Sequence, residues 1–343
     1  MLLAELLAVS YLGTVTYAAH LSGVSLLLFP ELAALSHDVM TRPRGKWASQ
    51  PWRMVLTPTL AAVVGLFITR HVSYGAIGIA VIVLVSLFVI KALKSASGPA
   101  LSAGVLPMVL DEKSWMYPVA ILAGLVGLVA ILRIWQRFGP SMDSSSGDAD
   151  SKLIDALETY PRDRFWGVTL LAFVVALGVP AQLTGLRFIL FPPLIVMAYE
   201  IFGHPEVPGW MARPALFPVV CLLTASVGVA MCRSFTSSVV GVMLTMLCSI
   251  AILRILKVHM PPALAVGLLP FIIPAPTFWY AVSVGIGTVA LMVCFWGREY
   301  FRRSSAPAGR RVGPANQWGC TFPEKRRQTS TDSRSDFNSR QSH

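Results

Sequence analysis

Lys91, Lys94 and Pro99 stand in the order basic, basic, proline, and Arg254, Lys257 and Pro262 repeat that order at the same spacing. Proline lacks the amide hydrogen that a helix interior needs, but it fits a first turn, where that hydrogen has no partner. Pro99 and Pro262 are therefore expected to start new short helices after an unwound segment. A helix start presents unpaired N–H groups and a partial positive charge. With a lysine about one turn away, the expected chemistry is attraction of a small anion. The competing reading is that these basic side chains only snorkel to lipid headgroups.

Arg187 is a second candidate. It interrupts the apolar run TGLRFILFPPLIVMA (184–198) with no other charge nearby. An arginine inside a membrane segment is costly and points to binding or to pairing with an acid. His259 and Pro261 complete the substrate-binding candidates, because His259 sits just before the proline pair and histidine titrates near neutral pH. Asp38 and Glu200 occupy matched places and read as loop acids, with ion pairing or proton relay as the alternative. No nucleophile elbow, Walker loop, H-E-x-x-H or paired-carboxylate motif occurs, so the expectation is a protein that is not an enzyme and needs no cofactor. The five cysteines form no C-x-x-C pair, and neither a disulfide framework nor a metal site is expected.

These residues must be positioned by membrane helices. Of the 343 residues, 55% are hydrophobic and 13% charged, against about 25% charged in soluble domains. Apolar runs recur from Leu2 to Trp296, each near the roughly 20 residues needed to cross a bilayer. The runs are continuous rather than alternating, which predicts helices. The N-terminal run has no basic region before it and reads as a retained membrane segment.

The two basic-proline elements belong to a longer repetition. KALKSASGPALSAGVLPM (91–108) aligns on RILKVHMPPALAVGLLPF (254–271) with eight of eighteen positions identical, at an offset of 163. HLSGVSLLLFPELAALSHD (20–38) aligns on QLTGLRFILFPPLIVMAYE (182–200) at an offset of 162. The expected fold is an all-α polytopic membrane protein with an internal duplication and roughly 8–10 transmembrane helices, counting short or broken proline-started segments. The first repeat spans 1–138, a polar acidic linker 139–164, the second repeat 165–301 and a disordered basic tail 302–343. The first run of each repeat, Leu2–Leu35 or Phe165–Ala198, is too long for one span. Ser22-Gly23, Thr184-Gly185 and Pro180 mark places for a break. If that run crosses once, the repeats are parallel; if twice, with Pro99–Leu110 too short to cross, they are inverted. Charge favours the inverted arrangement, with Arg42, Arg44, Lys46, Arg53, Lys91, Lys94 and the tail cytoplasmic.

The net charge of +11 is concentrated in the tail and loops, which points to membrane lipids as partners. No aromatic-interleaved basic motif supports nucleic-acid binding. A homo-oligomer is compatible with the sequence, and the expected location is the plasma (inner) membrane.

The stretches LKVHMPPALAVGLLPFI and FPPLIVMAYEIFGHPEVPGWMARP resemble the HPP family of integral membrane proteins, named for a His-Pro-Pro motif in such a place. FPELAALSHDVMTRPRGKWASQP follows the same plan in the first repeat, so the resemblance covers both. With the prolines aligned, Met260 takes the place of the family histidine and His259 is displaced by one. In the first repeat Ser97-Gly98-Pro99 replaces the motif. The resemblance implies two tandem HPP-like units. It offers nitrite as a substrate, since some members are associated with nitrite transport.

Overall fold

Two kinds of helix build the structure, long ones outside and short ones within. The computed structural model describes residues 2–95, 97–138, 161, 165–204, 215–235 and 238–304. The expected linker, apart from Pro161 and the residues up to its start, and the expected tail beyond 304 lie outside the described residues. The first half contains α1 (Leu2–Ser22), α2 (Glu31–Thr41), α3 (Pro51–His71), α4 (Ala76–Ala92), α5 (Pro99–Leu110) and α6 (Met116–Phe138). The second contains α7 (Trp166–Thr184), α8 (Pro192–Gly203), α9 (Leu216–Ser234), α10 (Ser238–Leu256), α11 (Pro262–Leu268) and α12 (Phe278–Ser304). A separate helical turn, Lys46–Ser49, leads into α3.

Among the described residues, seven helices are long and apolar enough to cross a membrane: α1, α3, α6, α7, α9, α10 and α12. The protein is therefore an all-α membrane protein. The apolar α4, with 17 residues, sits at the lower end of the spanning range. The other four helices are too short to cross.

Glycine ends the first helix of each half. Gly23 and Gly185 have φ of 70° and 73°, in the left-handed region that glycine adopts without steric penalty. Pro180, the other expected break, stays inside α7. A membrane helix tolerates the single backbone bond it removes.

The short helices α5 and α11 are almost wholly apolar on every face, so they must be covered all round. In α5, every residue from Pro99 to Val109 is buried. In α8 only Glu200 escapes full burial, and α11 is buried throughout. Two devices hold the long helices tightly on them. A Cβ added at Gly65 of α3 would fall 1.9 Å from the Gly104 carbonyl oxygen, and one at Gly228 of α9 would fall 2.0 Å from that of Gly267. The Tyr117 hydroxyl donates to the Ala103 carbonyl at 2.6 Å, and Tyr280 to Val266 at 2.7 Å. In each pair of contacts, the residues of the second contact stand 163 positions after those of the first.

The halves exchange these elements. The short α11 packs on α2 of the first half, and α5 packs on α8 of the second. Likewise α1 packs on α10, and α4 on α7.

Side-chain contacts also fix which helix ends lie together. Arg254, at the end of α10, meets Glu5 at the start of α1, with N···O of 2.6 Å. His37 of α2 lies 3.9 Å from the same Glu5. Trp135 of α6 donates to the Met40 carbonyl, and Arg53 of α3 to that of Lys94. At the opposite end, the Gln182 side chain of α7 accepts from the Ala76 N–H, where α4 begins. Both halves therefore start and finish at one end of the bundle. The halves are parallel, and the inverted arrangement expected from charge is not found. The first run does turn back on itself, through α1 and α2. The correction comes from Pro99–Leu110, which also carries the chain from one end toward the other and restores the even count. The cations named for that argument, with Arg254 and Lys257, still share one end of the bundle, called here the basic end.

Gly65→Ala and Gly228→Ala should each destabilise the fold by about 1–3 kcal/mol, the usual range for forcing a methyl into packed structure. Gly167 has nothing within 4 Å of an added Cβ. Gly167→Ala should leave the thermal midpoint of detergent-purified protein unchanged, and scanning fluorimetry on the three variants checks the contrast.

Candidate functional site

The two basic-proline elements close in the same way. At the end of α4 the Lys94 N–H donates to the Lys91 carbonyl, and the Ser95 N–H reaches back to Ile90. At the end of α10 Lys257 and Val258 do the same with Arg254 and Leu253. This is a Schellman closure, whose left-handed position usually holds glycine. Here it holds Lys94 with φ of 48° and Lys257 with φ of 52°, a conformation that costs an ordinary side chain about 1–2 kcal/mol. Both lysines are exposed, as are Lys91 and Arg254. The three lysines rim the basic end, while the Arg254 side chain turns to Glu5 of α1.

Beyond the lysines the backbone is unwound and enclosed. Ser95, Ser97 and Gly98 are buried before α5 starts at Pro99. Val258 and Met260 are buried and Pro261 half-buried before α11 starts at Pro262. Irregular backbone at membrane depth persists only where protein covers it or where it lines a cavity.

A polar group gathers where the second unwound segment meets α1 and α2. The Arg254 guanidinium contacts both oxygens of Glu5, at 2.7 and 2.6 Å. Arg42 donates from Nε and Nη2 to one oxygen of Asp38, at 3.0 and 2.6 Å. His259 keeps accessible surface, yet protein encloses it on most sides. Burial, with His37 and Arg42 as neighbours, pushes its pKa down to about 4. His259 is therefore neutral at pH 7. Near this end two buried donors, Trp47 Nε1 and Arg53 Nε, have no hydrogen-bond partner among the described residues.

The chemistry follows from these partners. Each arginine faces a carboxylate and the histidine is uncharged, so the local surplus is the rim cation Lys257. The group can attract a small anion to the rim and offer it exchangeable arginine hydrogen bonds within. The first half's segment meets α8 instead, where a Cβ at Gly98 would touch Val196 and lie 3.8 Å from Tyr199. Among the described residues, no cluster of three or more His, Cys, Asp or Glu could hold a metal.

Of the expected site residues, Arg254, His259, Pro261 and Pro262 come together beside α2. Lys91, Lys94 and Pro99 sit beside α8. Arg187 is separated from both, at the opposite end. It is half-buried over the Tyr74 ring, with its guanidinium carbon 4.7 Å from the centroid. Sequence reasoning passed over Glu5, His37 and Arg42 as binding residues, and Glu31 altogether. A sign of the last was available: Glu31 is the only charge between His20 and His37.

Compared with known proteins, the chain matches no family model, no curated sequence and no solved structure.

Lys94→Gly and Lys257→Gly relieve left-handed backbone and should stabilise the fold by about 1 kcal/mol each, read as a raised thermal midpoint. Arg42→Gln removes a positive neighbour, so the His259 pKa should move upward in a histidine NMR titration. The sign for stability follows. The folded state binds less proton at His259 than the unfolded state does. Its contribution is therefore lost as pH falls from about 6.5 toward about 4.

Proposed function

We propose that the chain is a tandem duplication of one six-helix unit, and that it carries a small inorganic anion across the membrane. The observation that carries this reading is the buried set of four short helices, three of them proline-started, packed across the halves. Discontinuous helices around a central region are a recurrent transporter device. Contacts at positions 163 apart support the duplication: the Gly65 and Gly228 approaches, the Tyr117 and Tyr280 hydroxyls, and the left-handed Lys94 and Lys257. On this reading the anion is drawn to the rim by Lys91, Lys94 and Lys257. It then enters beside Arg42, Arg254 and His259, and passes the starts of α5 and α11 at Pro99 and at Pro261-Pro262. Arg187 holds the far end through Tyr74. Nitrite is the candidate substrate that the resemblance to the HPP family supplies. The basic end and the tail face the cytoplasm of the plasma (inner) membrane, in keeping with the positive-inside rule.

A second reading has one observation in its favour. The exposed lysines at one end are also well placed for anionic headgroups, as in a membrane scaffold or sensor that transports nothing. Uptake into proteoliposomes separates the two. Wild type should accumulate nitrite above protein-free liposomes. Arg42→Gln should slow uptake by more than about tenfold, equivalent to roughly 1.4 kcal/mol. Lys257→Gly, which keeps the fold, should slow it less. Absence of protein-dependent flux for nitrite, nitrate and bicarbonate would overturn the transporter reading.

A further inference from the structure

Glu31 stands at the start of α2, in the interior where the short helices meet. It is fully buried, and neither carboxyl oxygen has a hydrogen-bond partner. The Ser102 hydroxyl of α5 lies near it but not in hydrogen-bonding geometry. The phenols of Tyr117 on α6 and Tyr280 on α12 are within electrostatic range. Both already donate their hydrogens, to the Ala103 and Val266 carbonyls. Beyond them stand Cys221 on α9, beside Tyr280, and Glu112, beside Tyr117. The packed helix α11 offers no titratable side chain from Pro262 to Leu268. On α1, Glu5 is engaged by Arg254 and His37, and Tyr11 donates to the Gly124 carbonyl. Among the described residues no cation is paired with Glu31.

An ionised carboxylate so placed lacks both water and a counter-charge, which is unfavourable by several kcal/mol. One ligand corrects this, and it is small enough to reach a fully buried oxygen: a proton. Protonation removes the charge and makes the acceptor-only group a donor as well, with Ser102 the near partner. The position in the second half corresponding to Glu31 is Pro193, and among the described residues no other buried carboxylate stands without a hydrogen-bond partner. Glu31 also lies between the halves, since α2 belongs to the first and Tyr280 to the second.

We infer that Glu31 is a proton-binding site of the membrane interior and that one proton moves with each anion carried. The proton site stands on the burial and isolation of Glu31, and the coupling rests on the transporter reading above.

Infrared difference spectra between acid and alkaline pH test the site without any transport. Wild type should show the carbonyl stretch of a protonated carboxylic acid, slow to shift in heavy water. Glu31→Gln should lose that band and Glu31→Asp should move it. Identical spectra for wild type and Glu31→Gln would overturn the proton site. Glu31→Gln mimics the neutral acid and should keep the wild-type thermal midpoint, and Glu31→Asp serves if it does not. Coupling is read in proteoliposomes, with protein-free liposomes measuring passive entry of the undissociated acid. A gradient of about one pH unit should drive about tenfold nitrite accumulation in wild type, since one unit is about 1.4 kcal/mol per proton. Glu31→Gln should lose the accumulation while retaining exchange. Wild-type flux indifferent to the gradient would overturn coupling alone. Absence of all flux with the infrared band present would overturn the transporter reading and leave the proton site standing.

Discussion

Backbone N–H and C=O groups at membrane depth have no water to bond, so every interrupted helix must be enclosed by protein. The rest of this structure follows from that constraint. Gly23 and Gly185 stop the first helix of each half, and Lys94 and Lys257 stop the fourth. What comes next in each case is unwound backbone and a short helix. The short helices occupy the interior, and α5 and α11 are almost wholly apolar on every face. The long helices are closed around them by glycine contacts and by two tyrosine hydroxyls.

The exchange between the halves meets the same need. A single half has two short helices, each of which must be covered on several sides. By laying α11 on α2 and α5 on α8, each half supplies cover that the other lacks. The polar contacts follow the exchange. Arg254 of the second half holds Glu5 of the first, and Gln182 of the second caps the start of α4. The polar group at the basic end is thus a product of the crossing, built from both halves.

Much of this was legible in the sequence. The helix breaks at Ser22-Gly23 and Thr184-Gly185 were readable because glycine has a specific backbone use there. The starts at Pro99 and Pro262 were readable because proline fits a first turn. Pro180 misled, since proline marks a break only where neighbouring structure does not compensate. The inverted direction of the halves was expected from charge and from the shortness of Pro99–Leu110, and both grounds misled. Pro99–Leu110 is too short to cross unaided, yet it carries the chain onward because α3, α4 and α8 surround it. The lysines read as partners of the helix starts in attracting an anion, because charge and break are adjacent in sequence. The Schellman closure turns both side chains outward, and local periodicity does not encode that turn. Glu31 carries no repeat signal, because its counterpart in the second half is Pro193.

The exchange has a consequence for the order in which the chain is made. During synthesis α2 and α5 emerge well before α8 and α11, their partners in the second half. The first six helices therefore enter the bilayer with two interior helices only partly roofed and with Glu31 not yet shielded by α12. Until the second half arrives, lipid or an insertion factor must stand in for it. The bundle is completed from the last-made helices inward, and a ribosome stalled between the halves would leave an open shell in the membrane.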